Sequence, residues 1–167
     1  MYLLQKVTTV YVDTEDRIKI AGELSSGDTI VFWLSQRMLL RLLPHLFLWL
    51  DKQFQNEIPI EIQQSFAQEA AIAKADHESA VESALDTQAW LVRSIDINSD
   101  NNNLRLCFKG AESQEALLPF TAHELRQWLS ILYTLWQAGE WPLEVWPQWM
   151  QDTTTNNDPK STSASYH

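Results

Sequence analysis

The first third of this chain reappears near its end, displaced by 86 residues without a gap. Ser35 falls on Thr121, and each stands where a hydroxyl would cap a helix that follows an apolar strand. Behind them Ile18 and Ile20 fall on Leu104 and Leu106, Lys19 on Arg105, and Phe32 and Leu34 on Leu118 and Phe120. Ahead of them Leu39, Leu42, Leu43, Leu46 and Leu50 fall on Leu125, Trp128, Leu129, Leu132 and Trp136. The matches are conservative apolar replacements rather than identities, so chance agreement of two generic units is the alternative to duplication. The first strand slips by one residue, bringing Val10 and Val12 onto Ile95 and Ile97. A duplicated unit usually packs against its own copy, so the chain is expected to behave as a dimer written on one polypeptide.

The unit itself reads as three strands and a helix. In the first copy Val7 to Asp13 and Arg17 to Leu24 are strands joined by a polar turn, and Ser25-Ser26-Gly27-Asp28 makes the next turn. Thr29 to Leu34 is apolar on both faces and so belongs inside the sheet. A helix runs from Ser35 to about Asp51, with Pro44 deep inside it, where a kink or break is expected. In the second copy Trp90 to Ile97, Leu104 to Phe108 and Ala116 to Phe120 are strands, and a helix runs from Thr121 to about Gln137 before Gly139. The expected fold class is α+β: a tandem duplication of a βββα unit with pseudo-twofold symmetry. The units occupy 1–52 and 87–139, separated by an acidic helical connector at 53–86, whose apolar positions Ile62, Phe66, Ala70, Ala73, Ala80 and Ala84 make a thin stripe that would bury little area. A Trp/Pro-rich strap at 140–150 and a disordered polar tail at 151–167 complete the chain.

Charge is distributed unevenly over this plan. The total is −10, yet the repeats hold six basic against six acidic residues and four against five, whereas the connector holds one against seven. An acidic total argues against polyanionic partners but does not exclude a local basic site. No apolar stretch reaches the roughly 20 residues of a membrane span, since Met38 to Leu50 carries Arg41, Pro44 and His45. The start of the chain alternates polar and apolar residues and does not read as a secretion signal. With a single cysteine, Cys107, no intrachain disulfide can form, and a cytoplasmic location is expected.

The chemistry-bearing residues form no catalytic or metal signature. His45, His77, His123 and His167 lie far apart, without a second ligand at metal spacing, and Asp76, His77 and Glu78 are helix neighbours that point in different directions. The four glycines are isolated, so no phosphate loop is present, and neither a cofactor nor a metal is expected. Cys107 alternates with Arg105 and Lys109, which would activate a thiol, but its match to Ala21 reads better as a small buried hydrophobe.

Three surfaces remain. Strand alternation presents Arg17 and Lys19 in one unit and Arg105 and Lys109 in the other. With Trp33 on the same face they would combine charge with an aromatic platform, as single-stranded nucleic acids require. Against this, Pro119 replaces the second tryptophan and Glu23 shares the face. On the first helix Arg37, Arg41 and His45 form one polar stripe while apolar residues, Phe47 among them, cover the rest, more than one sheet contact buries. Finally Trp141, Trp146 and Trp149 crowd a segment that Pro142 and Pro147 keep from being one helix. They either cap the open end of the core or anchor a partner. The leading expectation is a non-enzymatic intracellular adaptor or scaffold that binds a protein partner or itself through the first helix or through Trp141, Trp146, Trp149 and Phe47. The alternative is a single-stranded nucleic-acid binder, and the third class is an enzyme with a site between the repeats.

Overall fold

Apolar alternation and two hydroxyl caps divide the chain much as the sequence suggests. The computed structural model describes residues 1–75, 79–83 and 87–156, the side chains of 154–156 excepted. Its strands are β1 (Tyr2–Val12), β2 (Arg17–Leu24), β3 (Thr29–Leu34), β4 (Ala89–Leu91), β5 (Ser94–Ser99), β6 (Asn103–Lys109) and β7 (Glu115–Thr121). Its helices are α1 (Gln36–Asp51), α2 (Ile60–Ala73), α3 (Ala122–Ala138) and α4 (Gln148–Asn156). The fold is α+β, with one curled, mixed sheet of seven strands in the order β4-β3-β2-β1-β7-β6-β5.

The curl has a covalent cause. β4 and β5 lie at opposite ends of that order, yet only Val92 and Arg93 separate them. The Val92 amide donates to the Trp33 carbonyl (3.0 Å) and the Arg93 amide to the Lys109 carbonyl (2.7 Å), so consecutive residues serve the two ends of the sheet. The strand expected at Trp90 to Ile97 is therefore two strands. Inside the curl the Phe32 and Phe108 rings meet at 4.9 Å, joining both halves in one core.

The ladders repeat. In β2/β3, Ile18 faces Leu34 and Glu23 faces Thr29; in β6/β7, Leu104 faces Phe120 and Lys109 faces Glu115. The two parallel contacts repeat as well, Val31 with Ala89 and Leu3 with Leu117. The first strands match differently from the sequence alignment. Val7 and Thr9, not Val10 and Val12, occupy the positions of Ile95 and Ile97, because Val7 faces Gly22 as Ile95 faces Phe108. A polar Thr9 is tolerated in the core because its Oγ1 accepts from the Trp128 indole N–H at 3.1 Å.

Both main helices start as their caps dictate. Ser35 accepts from the Met38 amide, and Thr121 and Glu124 form a reciprocal capping box. All ten apolar positions matched along these helices are buried. Pro44 does not break α1. The carbonyl it leaves without an amide partner belongs to Leu40, and both residues lie on the exposed side of the helix, where an unpaired carbonyl costs least.

The connector and strap differ more from expectation. α2 ends at Ala73, well before Leu85, and Asp76, His77, Glu78, Ala84 and Leu85 lie outside the described residues. Beyond α3 a single 3₁₀ turn (Leu143–Val145) leads into α4, so residues 148–156 are helical and Thr153 is buried, where a strap and a disordered tail were expected. Residues 157–167 and His167 with them are outside the described residues.

Candidate interaction surface

α2 turns its hydrophobicity outward. Ile62, Phe66, Ala70 and Ala73 form the apolar stripe legible in the sequence, and all are exposed, Phe66 at 67%. Ile58, one step before the helix, continues the stripe and is also exposed. The inward face instead carries Gln64 and Gln68, both fully buried, and Ala71. These glutamines are held by α3: the Arg126 guanidinium donates to Gln64 Oε1 (2.6 Å) and Gln68 Nε2 donates to the Arg126 carbonyl (2.8 Å). Gln64 Nε2 donates onward to Asp51 Oδ1 at 2.7 Å, and Gln127 Nε2 to the Ala71 carbonyl at 3.2 Å. Arg126 sits between the Phe54 and Trp149 rings, at 5.7 and 5.8 Å. Burial pushes its guanidinium down to about 10, against a weaker opposing pull from Asp51.

α1 carries a second exposed stripe. Leu39, Leu42, Leu43, Leu46, Trp49 and Leu50 face the core, while Leu40, Pro44 and Leu48, in steps of four, face water. Arg37, Arg41 and His45 border the stripe, all exposed. Phe47 is half-buried, with its ring against Trp146 (5.6 Å) and Trp149 (6.0 Å).

The three tryptophans expected to offer an anchor belong to the core. Trp141, Trp146 and Trp149 are 5%, 2% and 6% exposed, so none can meet a partner without leaving the fold. Trp141 donates to Asp16 Oδ1 at 2.7 Å and packs edge-on to Tyr11 and Trp136; Trp146 packs against Trp136 and Tyr133. The backbone breaks at Pro142 and Pro147 let these rings join the core cluster separately. That is the capping alternative recognised in the sequence.

The four cations expected to bind nucleic acid fall in two groups on different strands. Lys19 and Trp33 are cross-strand neighbours, with Arg17 further along β2. Arg105 and Lys109, however, lie on β6, with β1 and β7 between, on a sheet that curls away. Lys109 is held by Asp96 at 2.6 Å and lies 3.8 Å from Glu115. Cys107 is buried, and desolvation pushes its thiol up from the ordinary value, with Glu115 adding to the shift and Lys109 only partly opposing it.

A concavity of about 750 Å³ opens where β1 and β7 diverge beyond Leu3 and Leu117, under α3. Its polar lining includes Lys6, His123, Glu124 and Gln127. Glu124 is engaged in the cap, and His123 Nε2 contacts Gln127 Nε2 (3.0 Å). Among the described residues no three His, Cys, Asp or Glu side chains gather as metal ligands, and no helix is long and apolar enough to cross a membrane. Comparison with family models, curated proteins and solved structures finds no match.

Sequence reasoning found the α1 surplus and named the first helix as a binding surface, but it nominated no residue of α2. The signal for α2 was present, since Gln64, Gln68 and Ala71 share one helical face opposite Ile62 and Phe66. Their burial depends on Arg126, far along the chain.

Proposed function

We propose that this chain is a non-catalytic adaptor or scaffold of the cytoplasm that binds protein through the exposed apolar faces of its two consecutive helices, α1 and α2. The observation that carries the reading is the reversal of α2, whose amides are buried while Ile58, Ile62 and Phe66 stay in water. A helix placed only to cover the core would gain by the opposite orientation, since burying a side chain such as Phe is worth roughly 1.5–3 kcal/mol. Large apolar residues grouped on one surface are the usual mark of a binding site.

The scaffold is proposed to be two copies of one βββα unit related by a pseudo-twofold. Its support is the shared displacement of the β2/β3 and β6/β7 ladders and of both parallel contacts, together with the ten matched helix positions. Each half also reaches the other's hairpin. Trp49 at the end of α1 donates to the Asp100 carbonyl, and Trp141 beyond α3 donates to Asp16.

A photoreactive residue placed at position 66 in cells tests the binding reading, with position 112 in the β6–β7 turn as the control. Protein adducts specific to position 66 are expected. Adducts absent at 66, or equal at the two positions, refute it.

A further inference from the structure

We infer that the occupant of these helix faces is a second copy of the chain, with α1 of one copy lying against α2 of the other; this rests on the protein-binding reading above. The two stripes are complementary. Leu40, Pro44 and Leu48 are flanked by Arg37 and Arg41, whereas Ile58, Ile62 and Phe66 are flanked by Glu57, Glu61 and Glu69. On α1 the stripe advances in steps of four over eight residues, about 12 Å on a helix, while on α2 Ile62 and Phe66 make one such step and Ile58 precedes it just outside the helix. All five charged residues are exposed, and none makes an ion pair or a side-chain hydrogen bond among the described residues.

Charge decides how the stripes pair. Two α2 faces would set Glu61 and Glu69 against their own copies, and two α1 faces would oppose Arg37 and Arg41, arrangements that like-charge repulsion disfavours. Only the crossed pairing buries both stripes while bringing opposite charges together. It also follows the connector, whose one basic against seven acidic residues concentrate on the α2 side the charge that α1 lacks. One helix pair is small beside the roughly 1,200–2,000 Å² buried in stable interfaces. A copy able to make both crossed contacts at once forms a closed pair, and one that makes them singly extends into a chain.

Sedimentation velocity of the full chain, up to about 100 µM where modest affinities populate a complex, tests the inference. Wild type is expected to shift above the monomer with concentration and to fall back as salt is raised. Arg37→Glu/Arg41→Glu and Glu61→Lys/Glu69→Lys, all on exposed positions, should each weaken association by on the order of 100-fold. Their equimolar mixture should associate again, because each variant then offers what the other lacks. Circular dichroism melts confirm that both variants fold. A wild type that stays monomeric, or a mixture that stays monomeric, overturns the inference. If adducts from position 66 then join a different protein, self-docking fails while the adaptor reading stands; no adducts at all remove both.

Discussion

Replacing Arg126 with methionine probes the least usual element of the core, a guanidinium 4% exposed that makes no ion pair among the described residues and feels only a weaker pull from Asp51. The descent of its protonation equilibrium from 12.5 to about 10 means that burial destabilises the charged form by about 3 kcal/mol at neutral pH. Arg126→Met removes that penalty. It also strips Gln64 Oε1 of its donor, about 1–3 kcal/mol, and ends the contacts with the Phe54 and Trp149 rings, about 0.5–2 kcal/mol. These terms nearly cancel, so urea denaturation should place the variant within about 2 kcal/mol of wild type, whereas removing one member of a buried ion pair costs about 3–5 kcal/mol. Arg126→Met/Gln64→Leu, which removes the orphaned Oε1 but also the Gln64 donor to half-buried Asp51 Oδ1, should exceed the single variant by about 1 kcal/mol. The pH dependence has a definite sign. The unfolded chain holds the proton more tightly than the folded one, so wild type gains stability as pH rises through about 10, and Arg126→Met lacks that gain. A loss of more than about 3 kcal/mol in the single variant, with no recovery in the double, would refute the account.

Asp16 accepts from both Tyr11 Oη and Trp141 Nε1, each at 2.7 Å, and those donors, Tyr11 foremost, hold its carboxyl below the ordinary 3.8. Its contribution is therefore complete above pH 3.8 and is lost as pH falls through the lower folded value; acid titration of wild type and Asp16→Asn should show their stabilities converging there. A side chain at Gly22 would meet Leu4 Cδ2 at 2.4 Å, so Gly22→Ala should cost about 1–3 kcal/mol in a thermal melt, and that cost should shrink when it is measured in a Leu4→Ala background.

What was legible in the sequence was periodicity. Ser35 and Thr121 announced helices, and the spacing of Leu39 to Leu50 and Leu125 to Trp136 named their inward faces, because a wide apolar arc has only one place to go. Periodicity also showed the stripe through Ile62 and Phe66, but a stripe carries no arrow. Its direction was set by Arg126, whose guanidinium and carbonyl select glutamines as partners. The first-strand register failed for a similar reason: Val10 and Val12 looked like core, yet Trp128 supplied the donor that admits Thr9. The strap was read correctly as broken by Pro142 and Pro147, though the choice between capping and anchoring needed the third dimension. The interruption at Val92 and Arg93 left no mark in composition, since two strands with a two-residue break read as one.

That interruption shapes how the protein meets others. Open sheets end in rows of unspent amides and carbonyls that recruit foreign strands, and natural proteins must blunt them. Here one backbone step ties the two end strands together, the N–H of Val92 extending the ladder to β3 and that of Arg93 the ladder to β6. A protease cut between them would release both end strands together, so a single nick should convert a well-behaved protein into one prone to fibrous aggregation.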